Sequence, residues 1–213
     1  MSKMELNLNY IVDEVVRRLK NEAEDEGILV EASGRHVHLS KTAVELLFGK
    51  GYELTKKREL SQPGQYLCEE KVTLIGPKGT LHNVSVLGPE REETQVELSM
   101  TDAVSIGVKA PVKMSGDVEN SGSIILATSK SVLKLDKGVI AAKRHIHITT
   151  EDAKKYGVSN NDEVSIKLTG DRGVIFTNVA VRVSDKFNTV VHLDYDEANA
   201  CGFSKGMRAV ILK

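Results

Sequence analysis

The histidines of this chain are few, and most of them lie in two short motifs. Six are present, and four of these form two His-x-His pairs on predicted strands: His36 with His38, and His145 with His147. Side chains two residues apart leave the same face of a strand, so each pair presents two imidazoles side by side. Neighbouring imidazoles are suitable ligands for Zn²⁺ or a similar divalent metal. The pairs therefore predict metal binding, with buried structural histidines as the alternative.

The two pairs belong to an internal repeat. Residues 35–40 (RHVHLS) match residues 144–149 (RHIHIT), and each match follows an apolar stretch and precedes a short helix-like segment. Further along, residues 96–98 (VEL) match residues 191–193 (VHL). We therefore expect two copies of one β-rich unit, joined near residues 115–136.

The repeat also supplies a third ligand for each pair. His192 completes the second pair, giving three histidines and an open position, which is the pattern of catalytic zinc sites. Glu97 occupies the equivalent place in the first copy and gives two histidines and a carboxylate. If the two copies pack about a pseudo-two-fold axis, both metals would face one cleft.

Arg91 is the candidate anion ligand. It ends residues 87–91 (LGPER), which predict a turn after a strand, and it precedes Glu97 by six positions. An arginine at the rim of a metal site is able to grip an anionic oxygen group with two hydrogen bonds. The alternative is an exposed ion pair with one of the adjacent glutamates.

The remaining histidine and the two cysteines are weaker candidates for a functional site. His82 has no counterpart in the second copy and is expected at the surface or at a strand edge, with a metal ligand as the alternative. Cys68 and Cys201 lack a Cys-x-x-Cys partner and are expected as small core or near-surface residues, with a catalytic cysteine as the alternative. The sequence contains no phosphate-binding Gly-x-x-x-x-Gly-Lys-Ser/Thr loop and no Gly-x-Ser-x-Gly elbow.

Short β-rich runs separated by Gly, Asn and Asp predict a mainly β chain of small barrels with brief helices between them. Residues 4–24 instead predict an amphipathic helix that ends near Gly27. Its apolar stripe consists of Ile11, Val12, Val15, Val16 and Leu19. This stripe packs either on the barrels or on a partner protein.

The composition excludes several classes of function. The 29 basic and 30 acidic residues give a net charge of −1, so no broad attraction to nucleic acid or to an anionic membrane is expected. No apolar run is long enough to span a membrane, and the first residues lack the layout of a secretory signal. Two cysteines are too few for a disulfide framework, so a reducing cytoplasm is the expected location.

Three motifs together resemble the PduL-type phosphotransacylases, also called phosphate propanoyltransferases. They are GRHVHLS at 34–40, LGPxRxxTQVE at 87–97 and RHIH at 144–147, and the resemblance extends over about residues 27–213. It implies reversible acyl transfer between coenzyme A and inorganic phosphate. It also implies two similar barrels that exchange strands: residues 27–34 with 143–213 form one, and 35–142 form the other, after an N-terminal helix and tether over 1–26.

The resemblance also implies roles for the candidate residues. One zinc would take His36, His38 and Glu97, with the sulfur of coenzyme A as its exchangeable ligand. A second zinc, giving about two per chain, would take His145, His147, His192 and water, while Arg91 would bind phosphate. Family members work in the cytoplasm or in bacterial microcompartments, and some carry an amphipathic N-terminal helix that directs encapsulation. The segment around residues 11–19 looks like such a helix, with shell or lumen proteins or a second copy of the chain as its expected partners.

Two alternatives stay open. One is a metal-dependent hydrolase of the thioesterase type that uses zinc-bound water. The other is a non-catalytic module in which the metals only hold the barrels together. The sequence does not distinguish acetyl from propanoyl or longer acyl groups, and it does not identify the residues that bind coenzyme A.

Overall fold

The structure is a computed structural model that describes residues 27–212 together with Val12. Over 27–212 the chain forms fourteen strands and four short helices. The strands are β1 (Ile28–Ser33), β2 (His36–Ser40), β3 (Lys56–Glu59), β4 (Tyr66–Ile75), β5 (Thr80–Arg91), β6 (Gln95–Glu97), β7 (Val112–Lys113), β8 (Gly122–Ala127), β9 (Val132–Ala142), β10 (His145–Ile148), β11 (Glu163–Leu168), β12 (Val174–Val183), β13 (Val190–Asp194) and β14 (Arg208–Leu212). The helices are α1 (Lys41–Phe48), α2 (Met100–Ile106), α3 (Thr150–Tyr156) and α4 (Tyr195–Cys201).

The strands close into two six-stranded barrels. The C-terminal barrel has the order β1-β13-β10-β12-β11-β14. The N-terminal barrel closes through the pairs β4-β5, β5-β2, β2-β6, β6-β9, β9-β8 and β8-β4, while β3 and β7 extend its sheet at the edges. The predicted fold of two small barrels with short helices is confirmed.

The barrels have the same strand order and the same strand directions. In the N-terminal barrel β2 pairs in parallel with β5 and antiparallel with β6, and in the C-terminal barrel β10 pairs in the same way with β12 and β13. By this correspondence β9 is equivalent to β1, and β8 is equivalent to β14. The expectation that residues 115–136 join the two copies is therefore wrong. This segment contains β8 and the start of β9, which close the N-terminal barrel.

At two points the chain crosses from one barrel to the other between consecutive strands. The strand β1 pairs with β13 and β14, whereas the next strand, β2, lies in the N-terminal barrel. Likewise β9 belongs to the N-terminal barrel and β10 to the C-terminal one. This pairing supports the division into 27–34 with 143–213 and 35–142, whose boundaries stay a prediction.

Alternation along β2 and β10 directs the histidines away from the barrel cores. Val37 and Leu39 are fully buried in the N-terminal core, and Ile146 and Ile148 are fully buried in the C-terminal core. Because successive side chains point to opposite faces of a strand, the intervening histidines face outwards from the barrel interior. They are nevertheless buried, and residues of both barrels lie around them.

Short helices follow the histidine strands directly. The Ser40 hydroxyl accepts a hydrogen bond from the Ala43 amide and begins α1, and the Thr149 hydroxyl accepts one from the Asp152 amide and begins α3. These N-caps fix the direction in which the chain leaves each strand. None of the helices in the described part of the chain is long and apolar enough to cross a membrane. The helix predicted over 4–24 lies outside the described residues, except for Val12.

Candidate functional site

The first candidate metal site is the N-terminal triad, which consists of His36, His38 and Glu97. Antiparallel pairing of β2 with β6 places His36 directly opposite Glu97. Nε2 of His36 lies 3.5 Å from Oε2 of Glu97, and Nε2 of His38 lies 3.9 Å from Oε1. The three residues are buried, and their ligand atoms lie within 4.8 Å of one another.

The second candidate site is the C-terminal triad, which consists of His145, His147 and His192. Pairing of β10 with β13 places His145 directly opposite His192, as in the other barrel. The centroids of the three imidazole rings are 4.6 to 5.1 Å apart, and their ligand atoms also lie within 4.8 Å of one another. The structure thus brings together both sets of three residues that the sequence predicted.

The ring nitrogens of the four paired histidines have a matching pattern. Nδ1 of His36 lies 2.8 Å from the Gly34 carbonyl, and Nδ1 of His145 lies 2.8 Å from the Lys143 carbonyl. A proton on each Nδ1 leaves Nε2 of the first histidine of a pair with a free lone pair. In contrast, Nδ1 of His38 and of His147 is buried without a hydrogen-bond partner. Buried, unpaired nitrogens at equivalent positions fit bound metal ions, because they are costly otherwise.

Charge differs between the triads. Burial disfavours charge on both His36 and Glu97, but their mutual attraction raises the pKa of His36 and holds the pKa of Glu97 well below its usual range. A metal ion would replace the His36 proton as the positive partner of this carboxylate. Burial, helped by the neighbouring His145, lowers the pKa of His147 to about 2 and of His192 to about 3. The C-terminal triad therefore presents neutral imidazoles, the form that binds metals.

A network of polar side chains of the N-terminal barrel holds Glu97 at the cleft. Its Oε1 accepts hydrogen bonds from Gln95 Nε2 at 2.6 Å and from Ser115 Oγ at 2.8 Å. Gln95 is itself fixed, because its Oε1 accepts from the Gly116 amide at 2.7 Å. These contacts leave Oε2 of Glu97 directed at His36. The sequence motif contained Gln95, but nothing in it indicated Ser115.

Arg91 reaches the same network from β5. It is half-buried, and its Nη1 donates to Ser115 Oγ at 3.1 Å. In the described part of the chain it forms no ion pair with the adjacent glutamates, of which Glu93 pairs with Lys137 instead. The predicted turn over 87–91 is wrong, since β5 continues to Arg91 through a break in register against β2. Proline lacks an amide proton, and such an irregularity accommodates it within a strand.

The two triads open into one cleft of about 970 Å³ between the barrels. Its lining holds more basic than acidic side chains. The basic ones are Arg35, Arg58, Arg91, Lys143, Arg182 and Lys205, and the acidic ones are Glu31, Glu97 and Asp194. A concave site with this balance favours an anionic ligand.

Arg182 is a cleft residue that the motifs did not indicate. It lies on β12 beside His147, at the position equivalent to Leu87 of β5. Residues 79–86 (GTLHNVSV) also resemble residues 173–181 (GVIFTNVAV) with one inserted residue, and this match ends one residue before Leu87 and Arg182. Extending the match by that residue would have shown an arginine beside the second histidine pair.

Residues of the N-terminal barrel also contact the C-terminal triad. Gln62 Nε2 donates to the Asn188 carbonyl at 3.0 Å and lies 3.5 Å from His192 Nε2. On the other side of that ring, a Glu31 carboxylate oxygen lies 4.0 Å from His192 Nδ1. Ser61 Oγ donates to the same carboxylate. Nothing in the sequence indicated this support, because residues 61 and 62 lie far from 188 and 192 along the chain.

The other reactive side chains lie away from the cleft lining. His82 is exposed, and both of its ring nitrogens are within hydrogen-bond distance of threonine hydroxyls. Cys68 and Cys201 are buried in the two barrel cores. Burial raises the pKa of the Cys68 thiol to about 11 and also raises that of Cys201, so neither thiol is activated as a nucleophile.

Fold and site define a two-barrel protein with paired three-residue candidate metal sites in a shared, basic cleft. A family model described as phosphate propanoyltransferase matches residues 29–204. The chain is 56% identical over 210 residues to a phosphate propanoyltransferase of Clostridioides difficile, covering 99% of both chains. Identity to the protein of that name in Listeria monocytogenes is 53% over 206 residues, covering 97% of this chain and 95% of the relative.

A further relative is more distant but still aligns over most of its length. Identity to the phosphate propanoyltransferase of Salmonella typhimurium is 46% over 193 residues, covering 90% of this chain and 91% of the relative. The chain belongs to the phosphate propanoyltransferase family, and it is an acyltransferase enzyme. The resemblance stated from the motifs is confirmed.

Proposed function

We propose that this enzyme is a zinc-dependent phosphotransacylase that converts a short-chain acyl-CoA and inorganic phosphate into an acyl phosphate and coenzyme A, reversibly. The relatives' name makes propanoyl-CoA the first substrate to test. The observation that carries the proposal is the placement of two three-ligand sites and Arg91 around one basic cleft. Three protein ligands with an open position are typical of catalytic zinc, whereas structural zinc takes four.

The N-terminal triad would hold one zinc and the C-terminal triad the other. When bound, zinc supplies a soft site for the departing thiolate and a positive charge for phosphate oxygen. The buried, unpaired Nδ1 atoms of His38 and His147 support this occupancy. Gln95 and Ser115 would keep the Glu97 carboxylate aligned by their hydrogen bonds to Oε1.

Arg91 would bind and orient the attacking phosphate. Its planar guanidinium fits two phosphate oxygens and offsets part of their charge. A phosphate oxygen attacks the thioester carbonyl carbon, the C–S bond breaks, and its electron pair leaves with sulfur. The proton of hydrogen phosphate balances the thiolate, so the products are an acyl phosphate dianion and the free thiol. Direct attack requires no acyl-enzyme, which agrees with the buried, unactivated state of both cysteines.

The test is an assay of CoA release from acetyl-, propanoyl- and butanoyl-CoA, each with and without phosphate. We expect release that requires phosphate, an acyl phosphate trapped by hydroxylamine, loss of activity with a chelator and recovery with added zinc. Phosphate-independent release with free acid as the product would instead favour the hydrolase. Metal-free protein with full activity would contradict zinc dependence, and bound zinc without turnover of any acyl-CoA would favour the non-catalytic module.

The proposal extends to location and partners. Residues 1–26 would serve as a detachable contact segment, binding either a second copy of the chain or shell or lumen proteins of a bacterial microcompartment. The catalytic residues all lie beyond this segment, so the same chain would be active in the cytoplasm without such partners.

A further inference from the structure

Three arginines of the described chain are half-buried, and they differ in their partners. Arg144 forms an ion pair with Glu197 at 2.7 Å. Arg91 donates to the Ser115 hydroxyl at 3.1 Å. Over residues 27–212, Arg182 has neither a hydrogen bond nor an ion pair, and its Cζ lies 5.9 Å from the centroid of the Phe187 ring. A guanidinium withdrawn from water without an acceptor is costly, so an acceptor from outside the protein is expected.

The position of Arg182 defines where that acceptor binds. Pairing of β10 with β12 places Arg182 beside His147. The Phe187 ring contacts both, since its centroid is 4.2 Å from that of His147. Both arginines line the cleft, Arg182 beside His147 of the C-terminal triad and Arg91 beside Ser115, which hydrogen-bonds to Glu97 of the N-terminal triad.

The positive charge of Arg182 acts on Arg91 across the cleft. Burial lowers the pKa of Arg91, Glu97 opposes that effect, and the positive charge of Arg182 adds to the lowering. Glu97 already has His36, Gln95 and Ser115 as partners. Its single negative charge therefore does not neutralise two arginines, and a multiply charged anion between them would do so.

We infer that Arg182 is a second phosphate-binding residue, so that each barrel contributes one arginine to the binding of inorganic phosphate. This inference rests on the proposed function and identifies a ligand of its substrate. Arg91 holds phosphate oxygens on the side of the N-terminal triad, and Arg182 holds them on the side of the C-terminal triad. Phosphate bound in this way joins the two barrels across the cleft.

The test compares Arg182→Ala, Arg182→Lys and the wild type, with Arg172→Ala as the matched control. Arg172 is an exposed arginine between β11 and β12, outside the cleft lining. Phosphate binding to the zinc-loaded enzyme without acyl-CoA is measured by titration calorimetry, and KM values for phosphate and acyl-CoA are measured separately. We expect Arg182→Ala to raise both the Kd for phosphate and the KM for phosphate about 10- to 100-fold. The KM for acyl-CoA changes much less.

The other variants make the test specific. Lysine keeps the charge but lacks the planar fork, so Arg182→Lys restores part of the affinity. Arg172→Ala behaves as the wild type. Unchanged phosphate affinity and KM in Arg182→Ala would overturn the inference. A fall in kcat with unchanged phosphate affinity would also overturn it, because Arg182 would then act on the thioester carbonyl oxygen.

Failure of this inference is distinguishable from failure of the proposed function. Phosphate binding is measured without turnover, so it does not depend on which reaction the enzyme catalyses. If the wild type releases CoA without phosphate, the proposed reaction is wrong, and the calorimetric comparison still decides whether Arg182 binds the anion. Equal metal content and melting temperature in all variants show that the comparison concerns folded, loaded protein.

Discussion

The two triads occupy equivalent places in equivalent barrels, yet their ligand sets and supports differ. The N-terminal triad includes a carboxylate, Glu97, which Gln95 and Ser115 of the same barrel hold in place. The C-terminal triad has three neutral imidazoles, and Gln62 of the other barrel reaches its third member, His192. Duplication thus provided two similar sites, and a few substitutions around them made them unequal.

The difference in ligand charge predicts different tasks. A carboxylate cancels part of the charge of a divalent ion, whereas three neutral imidazoles leave the full charge available to an incoming anion. Phosphate should therefore prefer the C-terminal triad, where Arg182 lies. We therefore predict that the N-terminal triad takes the sulfur of coenzyme A, as the family resemblance implies.

Removing one ligand from each triad should have the largest effects. His36→Ala and His145→Ala each leave two of three ligands, so each should lower the metal content from about two ions per chain to about one. Activity should fall by more than the roughly 10- to 100-fold typical of residues that only support a ligand. Metal analysis and kinetics check this, and a variant that keeps two metals and full activity would remove its triad from the mechanism.

Arg91→Ala should have the next largest effect. Loss of a charge-assisted contact to phosphate costs about 2–3 kcal/mol, or roughly a hundredfold in kcat/KM. Arg91→Lys should recover part of this, since only the fork geometry is lost. Metal content should stay at the wild-type value because Arg91 is not a ligand, and unchanged kinetics in the alanine variant would contradict phosphate binding by Arg91.

The residues that contact each triad, Ser115 and Gln62, should have smaller effects, each confined to its own triad. Ser115→Ala removes a hydrogen bond to Glu97, and Gln62→Ala removes a neighbour of His192. Each should weaken zinc at its own triad about tenfold and leave the other triad unaffected, so each variant serves as the other's control. Competitive zinc titration with a chromophoric chelator measures both sites, and equal loss at both in either variant would show that the supports are shared.

The repeat made much of this arrangement predictable. Alternation and motif spacing predicted both His-x-His strands, and the match of residues 96–98 with 191–193 paired Glu97 with His192. The structure places the two at equivalent registers, opposite His36 and His145 respectively. Such contacts lie within one strand pair, where sequence position determines which side chains meet.

Contacts between segments that are distant in sequence were not predictable. Gln62 meets Asn188 across 126 positions, and Ser115 meets Glu97 from outside the strand pair. No periodicity relates such residues, because the packing of one barrel on the other brings them together. The strand exchange was likewise implied only by the resemblance. From the sequence alone, β1 and β2 would be expected to pair within one barrel, because they are consecutive.

The smallest expected effect concerns residues 1–24. All six candidate ligands and Arg91 lie beyond residue 27, and the strands that close both barrels lie within residues 27–212. Deletion of residues 1–24 should therefore leave kcat and KM within about twofold of the wild type, while self-association or binding to shell proteins decreases. Kinetics and light scattering on the truncated and full chains provide the comparison. If truncation abolishes activity, the helix stabilises the barrels, and its proposed role as a contact segment for partners is wrong.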